Sequence, residues 1–519
     1  MNRSEMMGSI SKNKTKFDFI VIGGGATGLG IALEASSRGY SVVLLEQDDF
    51  TKGTSSRSTK LVHGGVRYLA QGNISLVKEA FRERGFMKKN APHLVKNQSF
   101  IIPAYKWWIK PYYTIGLTIY DLLSGRLSLG WSKPSSRKKT LECIPTLKTK
   151  GLRGGVIYHD GQFDDTRFGI NLCQTIIEKG GIALNYMKVN NLLKENNKVV
   201  GAIANDQETG KEFNIKAKAI INATGVFIDD IIKMDTPNAK KMVCASQGVH
   251  LVLDKEFVPK NYAIMIPKTS DGRVLFAVPW HNKVIVGTTD VMKEKAELEP
   301  KALDEEIDFI LETAGRFLAK QPKRSDVKSV FAGLRPLAMP KEGSLKTKEI
   351  SRSHKIVISE SGMLTITGGK WTTYRQMAED VINLLIKNSD FKQTISNTKN
   401  LKIHGYKETT NYDDPLYVYG SDQEKLLKLA KNEILEDYLS ENLKIIKAQV
   451  IWGARYEMAR TVEDILARRT RALFIDAKES IIIASQVAQL LAKEFGYNKE
   501  WEKDQITKFN NIAKNYILN

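Results

Sequence analysis

Residues 17–28 read FDFIVIGGGATG, and this stretch decides the fold. Its first half, residues 17–22, is a short apolar run rich in aromatic and β-branched side chains, which is typical of a buried parallel strand. The second half places Gly23, Gly25 and Gly28 at GxGxxG spacing. In such a motif the first glycine allows a tight turn, the second lets the backbone approach a pyrophosphate, and the third lets the helix pack closely. The stretch therefore predicts a dinucleotide-binding βαβ unit.

The residues that follow complete this unit. A helix is expected from about Thr27 to Arg38, ending at Gly39, and the strand SVVLLE then closes on Glu46. The N–H groups at the helix N-terminus, near Ala26 and Thr27, would hold the pyrophosphate, because the helix dipole favours negative charge there. Glu46 would accept hydrogen bonds from a ribose diol. The unit alone does not distinguish FAD from NAD.

Size and charge limit the remaining possibilities. At 519 residues the chain is too long for one hydrophobic core, so two or three domains are expected. Lys plus Arg number 78 against 58 for Asp plus Glu, a net charge of +20. Such an excess suits nucleic acid, an anionic membrane surface or an acidic substrate. The chain has no helix-turn-helix, zinc-finger or RNP signature, so nucleic acid is not expected as a partner.

Neither the cysteines nor the histidines form a metal motif. Cys143, Cys173 and Cys244 make no CxxC, and the seven histidines include no HExxH, so no metal site is expected. The first sixteen residues lack the apolar core of a signal peptide. No apolar run approaches the roughly 20 residues that span a bilayer. We therefore expect an intracellular protein.

Three further segments favour FAD over NAD. Residues 54–68, TSSRSTKLVHGGVRY, offer small hydroxyl side chains and backbone N–H groups for a second contact with the diphosphate and the flavin edge. Residues 217–225, AKAIINATG, form an apolar strand that ends in a glycine, where the backbone can crowd a bound dinucleotide. Residues 364–375, LTITGGKWTTYR, read as a strand, a turn and a helix start. A helix N-terminus there would stabilise negative charge on a reduced flavin.

These segments belong to a set of dispersed motifs that carries a family resemblance. The set is IGGGATG, SSRSTKLVHGGVRYL, INATG, IVGTTD (285–290), GLRPL (333–337), ISR (350–352) and TGGKWTTYR (367–375). From about Phe17 to the C-terminus the chain resembles the respiratory, quinone-linked, FAD-dependent glycerol-3-phosphate dehydrogenases. The resemblance implies oxidation of sn-glycerol 3-phosphate to dihydroxyacetone phosphate by hydride transfer to FAD, with a membrane quinone as electron acceptor.

Two related activities stay open at this point. Glycerol-3-phosphate oxidases share most of these motifs and pass electrons to oxygen, although they usually carry an insertion and a longer chain. FAD enzymes of the amino-acid oxidase type share the sheet and the glycines, but they bind a carboxylate and would not need the HGGVRYL and GLRPL motifs.

The resemblance also implies roles for individual residues. His63 is the candidate base, with the alternative that it only hydrogen-bonds the cofactor. Arg335 is the candidate for polarising the substrate oxygen, as a catalytic residue. A phosphate needs cations, and arginine's planar fork suits it. The expected substrate-binding residues are Arg67, Tyr68, Thr289, Arg352 and Lys370, and Lys370 is also expected to contact the flavin.

The expected cofactor contacts come from several separate segments of the chain. Most lie in the glycine turn, at the end of the second strand and in the 54–68 segment, and the rest lie in the later motifs. They are Gly23, Gly25, Ala26, Thr27, Gly28, Glu46, Thr54, Ser55, Ser56, Ser58, Lys60, His63, Gly64, Gly65, Val189, Ala223, Thr224, Gly225, Gly369, Lys370 and Thr372.

One stretch suggests contact with a membrane. Residues 106–131 hold three Trp and three Tyr among many aliphatic side chains, and basic residues flank them. Such a stretch suits an interfacial contact on anionic lipid, and the alternative is that it forms a wall of the substrate domain. With the family resemblance, it favours a cytoplasmic enzyme held peripherally on the cytoplasmic face of the inner membrane. A homodimer is compatible with the sequence.

The pattern of predicted elements divides the chain into domains. The expected fold class is α/β: a doubly wound, Rossmann-type FAD-binding sheet, an antiparallel-sheet substrate-binding cap and a C-terminal helical domain. The FAD-binding domain is expected to be discontinuous, at 17–95, 151–240 and 340–388, after an N-terminal tail at 1–16. The cap takes 96–150 and 241–339, a linker takes 389–400, and the helical domain takes 401–519. Arginines between 455 and 471 either form a functional basic face or make salt bridges.

Overall fold

A first sheet carries the dinucleotide-binding unit. The computed structural model describes residues 1–12, 16–65, 73–269, 272–339 and 354–518. Numbered along the chain, the strands of this sheet are β1 (Phe17–Ile22), β2 (Val42–Leu45), β7 (Ile182–Leu184), β8 (Met187–Glu195), β9 (Lys198–Asp206), β10 (Glu212–Asn222), β17 (Lys355–Ile358) and β18 (Leu364–Thr367). Strands β18, β10, β1, β2 and β7 are parallel neighbours in that order. The antiparallel pairs β17–β18, β9–β10 and β8–β9 extend it.

A second, mostly antiparallel sheet adjoins the first. Its strands are β3 (Leu61–Val62), β4 (Val95–Pro103), β5 (Lys133–Ser135), β6 (Gly155–Phe163), β11 (Val243–Asp254), β12 (Tyr262–Ile266), β13 (Leu275–Trp280), β14 (Lys283–Gly287), β15 (Val291–Lys293) and β16 (Val327–Ala338). The long β11–β16 pair sets Ser246 opposite Arg335 and Gly248 opposite Gly333. The two-sheet α/β fold with a helical C-terminal region confirms the predicted fold class.

The helices cover the sheets and build the C-terminal region. They are α1 (Arg3–Lys12), α2 (Ala26–Ser37), α3 (Ile74–Asn90), α4 (Ile109–Ser124), α5 (Arg137–Cys143), α6 (Asp165–Glu178), α7 (Ile228–Asp235), α8 (Asp304–Gly315), α9 (Tyr374–Asn388), α10 (Gln423–Asn432), α11 (Lys447–Tyr456), α12 (Ala472–Ile475), α13 (Ala477–Phe495) and α14 (Lys499–Ala513). A small hairpin, β19 (Tyr438–Ser440) and β20 (Ile445–Ile446), and a π-helical segment, Asp464–Arg469, complete the C-terminal region.

Three expectations about elements need correction. Strand β6 lies in the second sheet, paired with β4 along its whole length, although we placed 151–163 in the FAD-binding domain. An apolar strand does not reveal which sheet it joins. The expected N-terminal tail contains α1, because the buried guanidinium of Arg3 pairs with Asp206. The domain expected to be helical at 401–519 is not helical throughout, because α10 ends at Asn432 and Ile434 adopts a left-handed conformation.

The arginines of the C-terminal region make ion pairs. Arg455 bridges Glu433 and Glu494, and Arg460 pairs with Glu208. Arg468, Arg469 and Arg471 are buried among carboxylates. The salt-bridge interpretation of this cluster is therefore correct, and these side chains do not form an exposed basic face.

Within the described ranges, no helix has the length and apolar character needed to cross a bilayer.

Candidate active site

Two adjoining cavities lie where the sheets meet. The first, of about 390 Å³, is bounded by the glycine turn, loop 46–57, strand β8, the turn after β10 and residues 368–371. The second, of about 320 Å³, lies between that turn and the second sheet. Both are lined by Thr54, Arg57, Pro336 and the 368–371 turn. The shared wall makes one continuous site from two compartments.

The first compartment collects most of the expected cofactor residues. Those that line it are Gly23, Gly25, Ala26, Thr27, Glu46, Thr54, Ser55, Val189, Ala223, Thr224, Gly225, Gly369 and Lys370. Gly23 has φ +108°, and a Cβ there would lie 2.7 Å from the Ala223 carbonyl oxygen. A Cβ on Gly28 would lie 1.8 Å from the Gly23 carbonyl oxygen. Both positions therefore need glycine because the backbone packs closely around the turn, and the residues that line the compartment suit FAD.

Glu46 stands at the end of β2, as the sequence predicts. Its carboxylate accepts hydrogen bonds from the Gly24 N–H at 2.6 Å and from the Asp48 N–H at 2.9 Å. Burial raises the pKa of Glu46 to about 7, although the two hydrogen bonds act to lower it. The carboxylate thus lies beside the glycine turn, in reach of a ribose bound in this compartment.

The raised pKa of Glu46 gives a prediction with a definite sign. Between its usual value of 4.5 and about 7 the folded state binds the proton more tightly than the unfolded state. The free energy of unfolding of the FAD-free protein is therefore expected to fall as pH rises through this window. Glu46→Gln should flatten that part of the profile and weaken FAD binding by about tenfold or more, since it removes a charge-assisted hydrogen bond. Urea unfolding at several pH values and flavin titration measure the two effects. An unchanged pH profile in Glu46→Gln would contradict the argument.

Arg335 reaches the second compartment from β16. Its Nη2 donates to the Thr288 hydroxyl at 3.1 Å and to the Thr289 carbonyl at 3.2 Å, and Nη1 lies 3.6 Å from the Asp290 carboxylate. The guanidinium lies over Gly248, where a Cβ would come within 2.3 Å of Nη2. Three neighbours and a bare glycine therefore fix a cation at the cavity wall.

Thr289, expected to contact the substrate, acts mainly through its backbone. It lines the second compartment, but its hydroxyl donates to Glu306 and accepts from the Val249 N–H at 2.9 Å. The hydroxyl is thus turned into the protein, while the carbonyl holds Arg335. We infer that Thr289 positions the arginine.

Two histidines line the second compartment. The predicted His63 is half-buried there, and His250 on β11 lies in the same cavity. The Nε2 of His250 is 2.9 Å from the Thr59 hydroxyl, and its ring stacks on Phe331 with centroids 5.0 Å apart. Burial, with Arg335 and Lys60 nearby, holds the pKa of His250 well below its usual range, so the ring is neutral at pH 7.

His250 and Arg273 are site residues that the sequence reasoning missed. His250 follows Gly248 by two positions, and side chains two apart share a face of a strand, so the polar residue in QGVHLVL was the available signal. Arg273 also lines the second compartment, with its guanidinium over the Phe309 ring at 4.9 Å. No motif surrounds Arg273, so nothing in the sequence marked it.

Lys60 needs correction as a cofactor residue. Its ammonium group is fully buried, donates to the Ser56 carbonyl and pairs with Asp165 at 2.7 Å. Burial lowers the pKa of Lys60 to about 7. The lysine lines neither compartment and instead fixes the 54–60 segment from behind.

The other expected residues divide into three groups. Ser58, Gly65 and Thr372 line the second compartment, as do Thr54, Gly369 and Lys370 from the list above. Gly28, Ser56 and Gly64 line neither compartment, and Gly64 is packed against Phe81, whose ring would lie 2.5 Å from an added Cβ. Arg67, Tyr68 and Arg352 lie outside the described residues.

Comparison with known proteins gives the family. The family model for FAD dependent oxidoreductases matches residues 18–375, and the model for the C-terminal domain of alpha-glycerophosphate oxidase matches residues 362–502. The mitochondrial glycerol-3-phosphate dehydrogenase of Schizosaccharomyces pombe is 38% identical, over 97% of this chain and 87% of its own length. The human protein of the same name is 38% identical, over 95% of this chain and 73% of its own length.

Solved structures agree with these relatives. The glycerol-3-phosphate dehydrogenase from Bacillus halodurans, complexed with FAD, has a TM-score of 0.80 at 30% identity, covering 99% of this chain and 97% of that one. The FAD-bound L-alpha-glycerophosphate oxidase from Mycoplasma pneumoniae has a TM-score of 0.58 at 16% identity, covering 75% of this chain and 98% of that one, and supports the fold alone. The chain therefore belongs to the family of FAD-dependent oxidoreductases that includes the glycerol-3-phosphate dehydrogenases.

Proposed function

We propose that this enzyme oxidises sn-glycerol 3-phosphate to dihydroxyacetone phosphate and passes the electrons to a membrane quinone. The observation that carries the proposal is the second compartment, in which Arg335, Arg273 and Lys370 face the same space as two histidines, next to the dinucleotide compartment. Several cations suit a phosphorylated substrate, and they do not suit a neutral alcohol. The relatives with the greatest similarity described above carry the name glycerol-3-phosphate dehydrogenase.

Different residues of the second compartment serve different parts of the reaction. The residues of the first compartment would hold FAD, which would supply the acceptor for the hydride from the secondary carbinol carbon. Arg335 donates hydrogen bonds to the oxygen that becomes the ketone, because a fixed cation stabilises the developing negative charge. Lys370 and Arg273 attract the phosphate. A histidine with a neutral ring takes the hydroxyl proton as the general base.

The two histidines can be separated by substitution. His63 is our proposed base, and the neutral His250 is the alternative in the same cavity. Loss of the base is expected to lower kcat by about 100-fold or more, since general base catalysis contributes roughly 10²–10⁴. His63→Gln and His250→Gln are compared at saturating glycerol 3-phosphate across pH, with bound flavin measured in each. A large loss in His250→Gln alone would move the base to His250, and normal turnover in both would remove histidine from the step.

Substrate choice tests the proposed function itself. With a soluble quinone analogue as acceptor, turnover is expected with glycerol 3-phosphate and not with glycerol, glycine or sarcosine. Turnover of an amino acid would instead indicate an oxidase of the amino-acid type. Turnover with oxygen at the rate of the quinone analogue would indicate a glycerol-3-phosphate oxidase.

Helix α4 supports a peripheral position on a membrane. Its outer face and flanks expose large apolar side chains at helical spacing: Trp107, Trp108, Tyr112, Ile115, Ile119, Leu122 and, beyond the helix, Trp131. Exposed basic residues flank this segment in the sequence, at Lys106, Lys133, Arg137, Lys138 and Lys139. We refer to these residues together as the α4 surface. It is unlike a wall of the substrate domain, because Trp107 is 75% exposed and Ile115 64% exposed.

The inner face of α4 leads to the second compartment. Tyr120 is buried, and its hydroxyl donates to Asp160 at 2.7 Å. Asp160 lines the compartment. A membrane bound at the α4 surface would therefore lie behind the site, which suits electron delivery to a lipid-soluble quinone. We propose that the enzyme is cytoplasmic and held on the cytoplasmic face of the inner membrane.

The α4 surface makes a further prediction. The double variant Trp107→Ser, Ile115→Asp is expected to lose at least about tenfold in affinity for anionic vesicles, because it removes apolar area that would enter the lipid interface. Its turnover with a soluble acceptor should be unchanged. Vesicle flotation measures the binding, and the matched control is Ile482→Asp, another exposed isoleucine on α13. Equal binding by the double variant and the wild type would contradict the membrane assignment.

A further inference from the structure

The loop between β2 and β3 forms one wall of the dinucleotide compartment. Its residues 46–57 supply Glu46, Gln47, Thr51, Lys52, Gly53, Thr54, Ser55 and Arg57 to the lining. The opposite side of the loop packs against the C-terminal region. The side chains that join the two are charged and mostly buried.

Asp49 makes the main ion-pair contact between the loop and the C-terminal region. Its buried carboxylate accepts from Arg468 Nε, from Arg469 Nη1 at 2.6 Å and from Arg469 Nη2 at 2.9 Å. The two guanidinium groups hold the pKa of Asp49 well below its usual range, so the carboxylate stays ionised. Asn185 adds a donor at 3.2 Å. Two consecutive arginines of the π-helical segment therefore bind one carboxylate.

Lys52, three residues later, makes a second ion-pair contact with the C-terminal region. Its ammonium group lies 3.0 Å from Glu463 of the C-terminal region and 3.4 Å from Asp48 of the loop itself. Glu463 also pairs with Arg468 at 2.7 Å. The two contacts are therefore connected, because Arg468 pairs with both Asp49 and Glu463, and they form one network across the interface.

The turn at residues 49–52, which these ion pairs hold in place, contacts the glycine turn directly. The Lys52 N–H donates to the Asp49 carbonyl at 3.2 Å, which closes the turn. Within it, Thr51 has φ +65°, a conformation that costs free energy for a residue with a branched side chain. The Thr51 N–H donates to the Gly24 carbonyl at 3.0 Å, and Phe50 lies against Gly24. A shift of Asp49 would therefore move the backbone that cradles the dinucleotide.

We propose that Glu463, Arg468 and Arg469 are positioning residues of the flavin site. They hold the turn at 49–52, with Thr51 in its left-handed conformation, and so fix the position of the loop 46–57 that lines the dinucleotide compartment. The C-terminal helical region then contributes to cofactor binding through loop 46–57, although it lines neither compartment. The inference rests on FAD as the cofactor and, for its catalytic consequence, on the proposed function.

A purely structural role is the competing explanation. Breaking a buried ion pair by removing one partner destabilises proteins generally, wherever the pair lies. The buried pair Glu34–Arg38, at the last turn of α2, provides a matched control. Its groups are as deeply buried as Arg468, but they contact residues near 383–398 rather than loop 46–57.

The experiment compares flavin affinity with stability in the same variants. Arg468→Met leaves Asp49 paired with Arg469, and Glu463→Gln is a milder change in case Arg468→Met folds poorly. Both variants are expected to lower the affinity for FAD by about tenfold or more, which is the effect of losing one charge-assisted hydrogen bond. Arg468→Lys should recover part of the affinity. Glu34→Gln should lower the thermal midpoint similarly and leave the FAD affinity within about twofold. Affinity is measured from flavin fluorescence on dilution and on reconstitution of the FAD-free protein.

Flavin affinity also separates this inference from the proposed substrate, because it needs no glycerol 3-phosphate. Unchanged FAD affinity in folded Arg468→Met and Glu463→Gln would overturn the inference. So would an equal loss of affinity in Glu34→Gln, since the effect would then follow global stability.

Discussion

Replacing Arg335 by alanine is expected to lower kcat for glycerol 3-phosphate by about 100-fold or more, because one fixed donor to a developing oxyanion contributes roughly 10²–10³ in rate. The side chain is held by Thr288, Thr289 and Asp290, so its position does not depend on the substrate. FAD should stay bound, because the glycine turn and Glu46 lie in the other compartment. Steady-state kinetics and the flavin spectrum of the purified variant measure both.

Two further variants make the Arg335 result specific. Arg335→Lys keeps the charge and loses the planar fork, so intermediate turnover is expected. Gly248→Ala keeps the arginine and displaces it, since an added Cβ would lie 2.3 Å from Nη2. It should lower turnover without changing the cationic charge of the site. Near-normal turnover in Arg335→Ala with flavin bound would contradict the role given to this residue.

Replacing Gly28 by alanine is expected to weaken FAD binding by about 100-fold. The added Cβ would lie 1.8 Å from the Gly23 carbonyl oxygen, and a backbone atom in a tight turn cannot move aside as a flexible side chain can. Overpacking costs typically 1–3 kcal/mol, and the upper end of that range corresponds to an affinity loss of about 100-fold. The absorbance of bound flavin and the circular dichroism of the folded chain measure the effect.

Gly25→Ala and Gly8→Ala accompany the Gly28 variant. An added Cβ on Gly25 would lie 3.1 Å from the Ser55 hydroxyl, so this variant should fold and bind FAD more weakly. Gly8, in α1, has nothing within 4 Å of an added Cβ, and its variant should bind FAD normally. Full flavin content in Gly28→Ala would contradict the description of the turn.

The sequence predicted the fold best where geometry is local. The glycine spacing, the flanking strands and Glu46 lie within 30 residues, and the structure places all of them as the motif requires. Strand β6 was assigned to the wrong sheet because its pairing with β4 is a long-range choice. Neither strand carries a residue that identifies its partner.

The site was predicted less fully, for reasons of the same kind. Motifs identified His63 and Arg335, which line one cavity, but His250 comes from a strand without a motif, where its position two residues after Gly248 was the available signal. Lys60 shows the opposite error. It lies inside a motif, yet its buried pairing with Asp165 makes it a support for the loop. A motif therefore marks a segment, whereas the direction of each side chain depends on its tertiary partners.

The most direct test of the account is anaerobic reduction of the purified holoenzyme. Addition of glycerol 3-phosphate without oxygen is expected to bleach the flavin bands near neutral pH, and a quinone analogue should then restore them faster than air does. Such a result would establish both the substrate and the class of acceptor. A flavin that stays oxidised in the presence of glycerol 3-phosphate would contradict the substrate assignment and the cationic compartment on which it depends.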